Sequence, residues 1–419
     1  MARVLLHSLT FAPDAVSTGY LMTDLARQLQ RMGNVVTVLT TTPHYNLDPL
    51  ALARQPLRKR FFGLVFQSEI EGIHVWHVKI PMKGQRVFTR VIDYIHFHLM
   101  ALLLGATTVG AYDIVIAPSP PLTIGVVGWL LGLMRRVPYI YNVQELYPDF
   151  AVNQGLVSNP LFIRLLRWLE RFVYDRSAMV VTISDWFSRI IRTRGVPEAR
   201  LRMIPNSVDT SLFRPLPREN EFARQHGLVD GFVVLYGGNI GLSQDWESFM
   251  RAAEELARLP IQFVVVGGGV RGAWLEQECA ARKLANVRLL GYQPRSLMPL
   301  VNASSDLCTI PMKASTTTDT FPSKIYTLMA SAKPVLVQAD EDSELNWLVR
   351  TVGFGRVAPP DDGRAYTDAL RCAFEQRAQL AEEGRRGYAY VLQEYSVEAV
   401  GRKYDTLIRE LTGREKPGR

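Results

Sequence analysis

The run Val264-Val265-Val266-Gly267-Gly268-Gly269-Val270-Arg271-Gly272 sets G-x-G-x-x-G behind an apolar stretch that reads as a strand and ahead of a segment with helical spacing. Glycines so placed let backbone come close to a phosphate, or simply make a tight turn. A dinucleotide site also needs an acidic residue ~20 positions further on to hold a ribose. That place is Gly291-Tyr292-Gln293-Pro294, which has no acid, and NAD binding is disfavoured. Gly19 precedes another helical segment, where unpaired N–H groups and the helix dipole favour an anion; Ser17 or Thr18 there could instead serve only as an N-cap. Glu145 and Asp149 stand four residues apart just after the apolar run Tyr139–Val143, at the strand end where doubly wound folds place ligands. His44 and Tyr45, in Thr42-Pro43-His44-Tyr45-Asn46, follow a further strand in the same way.

The elements that must position these residues alternate. Residues 3–7 and 35–41 read as buried parallel strands with a helix between them from Gly19 to Met32, one β-α-β unit. Strands near Asp113–Ala117, Tyr139–Val143 and Met179–Ile183, with a helix at Leu161–Tyr174, continue a doubly wound pattern. The pattern restarts after Asn206, with strands at Phe232–Tyr236, Ile261–Val266, Val287–Leu290, Leu307–Ile310 and Pro334–Gln338. Helices are expected around Trp246–Arg258, Trp274–Arg282, Phe321–Ser331 and Ala365–Phe374. Pro205, Asn206, Asp209, Pro215 and Pro217 give the link turn chemistry. The expected domains are 1–205 and 206–395, with 396–419 a C-terminal helix and tail packing back on the first.

A chain of 419 residues that is 47% hydrophobic and 21% charged is an ordinary globular protein of two or three domains, which excludes a single small binding module and a disordered chain. Cys279, Cys308 and Cys372 are an odd number without CxxC spacing, so no disulfide framework or zinc site is expected and a reducing cytoplasm fits. The early apolar run at the N-terminus is only three residues long, too short for a signal-peptide core. The net charge of +8 is one-sided: residues 1–200 hold 21 basic and 13 acidic side chains, residues 201–419 hold 27 of each. Arg54, Arg58, Lys59 and Arg60 stand before Phe61, Phe62, Leu64, Val65 and Phe66. Such a segment suits an anionic lipid surface; a solvated loop followed by a buried strand is the plainer alternative, and no motif accompanies it that would indicate nucleic acid. Phe88, Ile92, Ile95, Leu99 and Leu102 form a helical stripe that could lie in a membrane interface or face the core. Neither this stripe nor Leu122–Met134 reaches the ~20 apolar residues of a membrane span. His96 and His98, two apart, point to different sides of a helix and are not expected to bind metal.

Several pieces together carry a resemblance. Pro13-Asp14-Ala15-Val16-Ser17-Thr18-Gly19, then Gln144-Glu145-Leu146-Tyr147-Pro148-Asp149, Ile183-Ser184-Asp185 and Ile204-Pro205-Asn206-Ser207-Val208-Asp209 occur in an order that resembles the family-4 retaining glycosyltransferases. Gly237-Gly238-Asn239-Ile240-Gly241, the Gly267–Gly269 loop, Asn286–Gly291 and Pro322-Ser323-Lys324 before Met329-Ala330 extend the resemblance to residue 400. It is nearest to bacterial polysaccharide enzymes of O-antigen and colanic-acid type. It implies an α/β architecture of GT-B type, two facing Rossmann-like doubly wound domains, with the acceptor on the first, the nucleotide-sugar donor on the second, and no metal or other cofactor.

The chain departs from that family at informative places. Two glutamates that usually hold the sugar and ribose correspond to Asp319 and Thr327, and the usual diphosphate-gripping Arg and Lys correspond to Asn239 and Gln244. A diphosphate leaving group needs cations aimed at it, and Lys324, then Arg271, are the candidates to supply them. The resemblance therefore assigns donor binding to Gly19, Asn239, Gly241, Gly268, Arg271, Tyr292, Gln293, Asp319, Pro322, Ser323, Lys324 and Glu344, and acceptor binding to Ser17, Thr18, His44 and Tyr45. Glu145 or Asp149 is the candidate base for an acceptor hydroxyl, with His44 the alternative if both are surface carboxylates. The expected partners are a nucleotide sugar, UDP-linked by preference, an undecaprenyl-diphosphate-linked glycan and an anionic membrane surface, but no nucleic acid. The expected location is the cytoplasmic face of the plasma membrane. A nucleotide-sugar 2-epimerase and a catalytically inactive assembly partner are the alternatives.

Overall fold

The computed structural model describes residues 1–413 except 15, 46–48, 82–86, 154, 156 and 317–320, and leaves undescribed the side chains of 49, 50, 87–90, 153 and 315. It contains two compact units, Met1–Ser207 with Val397–Arg419, and Val208–Ser396.

In the first unit the strands are β1 (Arg3–His7), β2 (Val35–Thr41), β3 (Arg58–Arg60), β4 (Val65–Ile70), β5 (Ile73–Val78), β6 (Ile114–Pro118), β7 (Tyr139–Val143), β8 (Met179–Thr182) and β9 (Leu201–Met203). Among the described residues they form one sheet in the order β3-β4-β5-β2-β1-β6-β7-β8-β9. Every neighbouring pair from β5 to β9 is parallel, with Leu5 opposite Thr37 and Val115, whereas β3, β4 and β5 pair antiparallel. The central strands are mostly apolar, and β6 and β7 are buried at every residue, because both faces of a parallel sheet are covered by helices. Those helices are α1 (Ser17–Arg31), α2 (Pro49–Arg54), α3 (Val87–Thr107), α4 (Thr123–Arg135), α5 (Asp149–Asn153), α6 (Pro160–Arg176) and α7 (Asp185–Thr193). Local chemistry sets several starts: the Asn159 side chain accepts hydrogen bonds from the Leu161 and Phe162 N–H groups ahead of Pro160, and Ser184 accepts one from Phe187 to open α7.

The second unit carries β10 (Phe232–Gly237), β11 (Ile261–Val266), β12 (Val287–Leu290), β13 (Leu307–Ile310), β14 (Val335–Gln338) and β15 (Gly355–Ala358), all parallel, in the order β12-β11-β10-β13-β14-β15. Its helices are α8 (Glu221–Gln225), α9 (Trp246–Glu255), α10 (Gly272–Ala281), α11 (Met298–Ala303), α12 (Lys324–Ala330), α13 (Glu344–Val352), α14 (Gly363–Glu375) and α15 (Leu380–Glu394). Two apolar clusters pack on opposite faces of this sheet, one including Leu235, Ile310 and Met329, the other Val234, Phe263 and Leu336. The last helix, α16 (Val397–Thr412), joins the first unit's core through Val400, Tyr404, Leu407 and Ile408. Gly401 permits its close approach to α1, since a Cβ there would stand 2.2 Å from Cγ of Gln28. Polar contacts fix the register: Asn34 donates to Asp405 (2.8 Å) and Asn142 to the Tyr404 hydroxyl (2.9 Å).

The antiparallel meander β3-β4-β5 is what charge and aromatic content concealed in the sequence. Its edge strand Arg58–Arg60 is fully exposed, Phe61 is half exposed and Phe62 wholly so, while Val65 behind them is buried. The basic residues form an edge strand where a loop was the plainer expectation, and the buried strand expected after them is present. The stripe on α3 faces solvent: Ile92, Ile95 and Leu99 are 52%, 54% and 63% exposed, and the core side is built instead by Phe97, Ala101 and Leu104. Phe88 lies outside the described side chains. No helix among the described residues is long and apolar enough to cross a membrane.

Candidate functional site

In the first unit, β1, β2, β6 and β7 are parallel, so their C-terminal ends share one edge of the sheet, and the chain order reverses between β1 and β6. The loops leaving that edge carry His44 and Glu145, and Gly19 stands not ahead of α1, as its spacing suggested, but in its first turn, because the helix already starts at Ser17. Open sheets bind ligands at such a switch point because loops diverge there and leave a crevice. Gly19 is packed tightly, as a Cβ there would be 3.0 Å from the Asp14 carbonyl oxygen. Helix α1 begins at Ser17, with Ser17 exposed and Thr18 half-buried in its first turn, and no side chain caps it from Val16. Buried Asp14, which the sequence offered only as part of a motif, organises this corner. Its carboxylate accepts the backbone N–H groups of His44 (3.0 Å) and Tyr45 (3.2 Å) and lies 3.5 Å from Nδ1 of His44. His44 is buried, its Nδ1 3.0 Å from the Thr41 hydroxyl, and its ring is tilted against Tyr45. The signal for Asp14 was available: an acid three residues ahead of the first residue of α1, in the loop after β1.

Glu145 lies two residues past β7, and burial pushes its carboxyl up to about 7. The charge of Glu145, after burial, also raises Tyr147, to about 12. The neighbouring polar chain is fully paired: Gln144 bonds reciprocally with Asn206 (2.8 and 3.0 Å) and donates to Asn142, which reaches Tyr404. This explains Asn206 of the boundary motif, which ties the β7 loop to the segment after β9. Asp149 is not a free carboxylate. It is held by Arg194 and lies 3.6 Å from Arg167. Two other titratable groups sit nearby in the same unit: burial drives His7 down to about 3 and His98 to about 4, with His98 Nε2 2.8 Å from the Thr123 hydroxyl.

In the second unit the corresponding edge gathers the glycine loops. Gly267 and Gly269 adopt positive φ (149° and 157°), and a Cβ at either would strike the carbonyl oxygen of Gly238 (1.9 Å) or Ile240 (2.4 Å). Those glycines therefore serve close packing of two loops, reinforced by Ile240 N–H to Gly268 O (2.9 Å) and Arg271 N–H to Ile240 O (3.0 Å). Gly268 is exposed with open space above it, and so is Gly291. Gln244, neutral where a cation was expected, accepts from the Gly241 N–H (2.9 Å) and braces the loop. Asn239 is exposed beside it.

Lys324 is the first residue of α12, preceded by half-buried Pro322 and exposed Ser323. Its ammonium sits 3.8 Å over the Tyr236 ring and would lie 2.9 Å from a Cβ at Gly238. Among the described residues it has no acidic partner, and burial lowers it to about 7. Arg271 is stacked 3.8 Å over Trp274. Tyr292 is 70% exposed at the end of edge strand β12, with Gln293 beside it. Glu344 opens α13 behind its Ser343 cap and lies near Tyr395. Thr327, in the place of a ribose carboxylate, turns its hydroxyl to the Lys324 carbonyl (2.8 Å), and Asp319 lies outside the described residues.

Two family models match this chain: the glycosyl transferase 4-like domain over residues 19–207 and the glycosyl transferases group 1 domain over 231–376. The chain belongs to the family-4-type, GT-B glycosyltransferases. Its relatives place it near the polysaccharide-biosynthesis branch. WcaI of Escherichia coli (strain K12), named as a colanic acid biosynthesis glycosyl transferase, is 22% identical over 88% of this chain and 92% of its own. WbjE of Pseudomonas aeruginosa, named as a glycosyltransferase, is 23% identical over 60% of this chain and 63% of its own. Among solved structures, Anabaena HepE in complex with UDP and glucose aligns over 98% of this chain and 100% of its own, with TM-score 0.72 at 15% identity. Sucrose-phosphate synthase of Thermosynechococcus elongatus aligns over 98% and 99%, with TM-score 0.73 at 17% identity. At such identities these structures speak for the fold of this glycosyltransferase.

Proposed function

We propose that this glycosyltransferase moves a sugar from a nucleoside diphosphate sugar, a UDP-sugar by preference, to a lipid-linked glycan at the inner face of a bacterial plasma membrane, retaining anomeric configuration and using no metal. The observation that carries the donor side is Lys324, an ammonium over the Tyr236 ring with no acidic partner among the described residues, beside two interlocked glycine loops at the ligand-binding edge of a parallel sheet. A half-buried, desolvated cation with no acidic partner among the described residues is poised for an anion, and charge growing on a departing diphosphate is what it would stabilise. Arg271 adds a second cation, and Tyr292 offers an exposed ring on which a base could stack. UDP and UDP-glucose in Anabaena HepE support the choice of nucleotide. On the acceptor side, Glu145, raised to about 7, is matched to taking a proton from a hydroxyl near neutral pH. Ser17, Thr18, His44 and Tyr45 lie at the same sheet edge, where an acceptor diphosphate would meet the start of α1, and Gly19 in that first turn is kept for the donor.

The surface of the first unit supports the lipid. The Arg58-Lys59-Arg60 strand with Phe61 and Phe62, the apolar stripe of α3, and α6 with Leu161, Leu165 and Trp168 exposed among Arg164, Arg167 and Arg171 join apolar and basic groups as an anionic interface requires. The test is donor turnover. UDP release from UDP-sugars should be slow alone, accelerate when bacterial membrane extract supplies acceptor, and survive EDTA. Interconversion of the sugar without acceptor would instead mark an epimerase.

A further inference from the structure

Arg194 follows α7, and its guanidinium reaches three elements at once. One nitrogen donates to the Tyr147 carbonyl (3.2 Å) and to the Glu170 carboxylate on α6, while the other donates to the Asp149 carboxylate at the start of α5. Glu170 in turn accepts from the Tyr174 hydroxyl (2.9 Å), and Arg167 of α6 approaches Asp149 at 3.6 Å. The Arg194 side chain is 18% exposed and that of Glu170 only 6%, so this is a partly desolvated knot. It grips the loop between β7 and α5 at Tyr147 and Asp149, two and four residues beyond Glu145. A planar, forked cation can hold a carbonyl and two carboxylates together, which the point charge of a lysine cannot.

We propose that Arg194 is a positioning residue for sugar transfer: by pinning the loop at Tyr147 and Asp149 it fixes the depth and aim of the Glu145 carboxylate. The inference rests on the reading of Glu145 as the base. It also gives Asp149 a role different from proton transfer, that of anchoring the loop to Arg194. Tyr141 and Tyr147 face Glu145, with Tyr94 of α3 beside Tyr147, and Asp149, Glu170, Tyr174 and Arg167 surround Arg194. Burial brings Glu170 as well as Glu145 to about 7, so the two carboxyls must be separated by experiment.

The test compares Arg194→Lys with the parent in transfer kinetics against pH and in UDP-sugar binding by calorimetry. The transfer kcat should fall roughly 10- to 100-fold, the scale of a misaimed catalytic group, with the donor Kd unchanged. A loosened loop admits water to Glu145, so the acid limb of kcat/KM should move from about 7 toward the ordinary carboxylate range. In Glu170→Gln the limb should persist, which assigns it to Glu145; loss of the limb there would overturn the proposal. Arg194→Lys with the parental kcat and limb would also overturn it, even with a lower melting temperature, since that result leaves Arg194 only a structural role. Parental transfer by Glu145→Gln would instead remove the base reading itself, whatever Arg194 does.

Discussion

Glu145 in the first unit and Lys324 in the second occupy comparable places, just beyond the C-terminal edge of a parallel sheet, and burial moves both to about 7 from opposite directions. One fold, used twice, has produced a carboxyl that is easily protonated and an ammonium that is easily deprotonated. The surroundings differ in kind. Near Glu145 the polar groups are saturated: Gln144, Asn142, Asn206 and Tyr404 bond one another, and Arg194 holds Asp149 and Glu170. Near Lys324 are an aromatic face, glycine backbone and open space above Gly268. A saturated frame suits a group that must be aimed, and an ammonium beside exposed glycine backbone suits a ligand that brings its own negative charge. The outer surfaces diverge as well, since the first unit exposes basic and apolar helices and the charge surplus of the sequence lies there.

The sharpest way to break this comparison is to neutralise each group. Glu145→Gln keeps the shape of the side chain while removing its proton-accepting charge, so transfer to acceptor should fall by about 10²–10⁴ while UDP-sugar affinity survives. Parental transfer would move the base to His44. Lys324→Ala should lower kcat by about 10²–10³, the scale for losing one preorganised charge-stabilising group, and should also weaken nucleotide binding. If Lys324→Ala transfers at the parental rate, Arg271 or backbone alone holds the diphosphate. The comparison demands that the two defects differ in donor affinity, which calorimetry with UDP-sugar reads directly.

The outer surface gives a smaller contrast. Replacing Arg58, Lys59 and Arg60 with Ser should release the protein from anionic vesicles at lower salt, each basic residue contributing about 1 kcal/mol near such a surface. The strand they form is an exposed edge, so melting temperature and donor hydrolysis should change little. Sedimentation with anionic and with neutral vesicles checks it, and equal binding to both would remove the electrostatic part of the reading.

Much of this architecture was legible before any coordinates. Buried parallel strands announce themselves as short apolar runs, and Tyr139–Val143, Ile261–Val266, Val287–Leu290 and Leu307–Ile310 begin and end where the runs do. The meander β3-β4-β5 was not, because half-exposed antiparallel strands carry charges and aromatics that read equally well as loop. The glycine loop was located correctly, but its reason was hidden. Only the loops' mutual approach shows that Gly267 and Gly269 are required by Gly238 and Ile240. The fate of Asp149 was hidden for a similar reason: its partner Arg194 lies 45 residues away. The direction of the α3 stripe could not be read from spacing, since an apolar face looks alike whether it meets core or solvent.

The smallest expected effect separates the two units by the sign of their pH dependence. Burial lowers the Lys324 ammonium to about 7, whereas an unfolded lysine titrates near 10.4. Between those values the unfolded chain binds a proton that the folded one does not, so this lysine makes stability rise with pH, by at most about 1.4 kcal/mol per unit. Glu145 has the opposite sign: between about 4.3 and about 7 the folded protein binds the extra proton, and its contribution falls as pH rises. Donor binding should reverse the lysine's trend. A diphosphate placed beside Lys324 favours the charged ammonium and returns its pKa toward normal, so binding takes up a proton above pH 7. Affinity for a UDP-sugar should then be flat below about pH 7 and weaken by up to tenfold per unit above it. Calorimetry in buffers of different ionisation enthalpy counts that proton. Lys324→Met should abolish the uptake and Glu145→Gln should leave it intact. An uptake that persists in Lys324→Met would place the diphosphate's counter-charge elsewhere in the second unit, and the pairing of a poised carboxyl with a poised ammonium would no longer describe this protein.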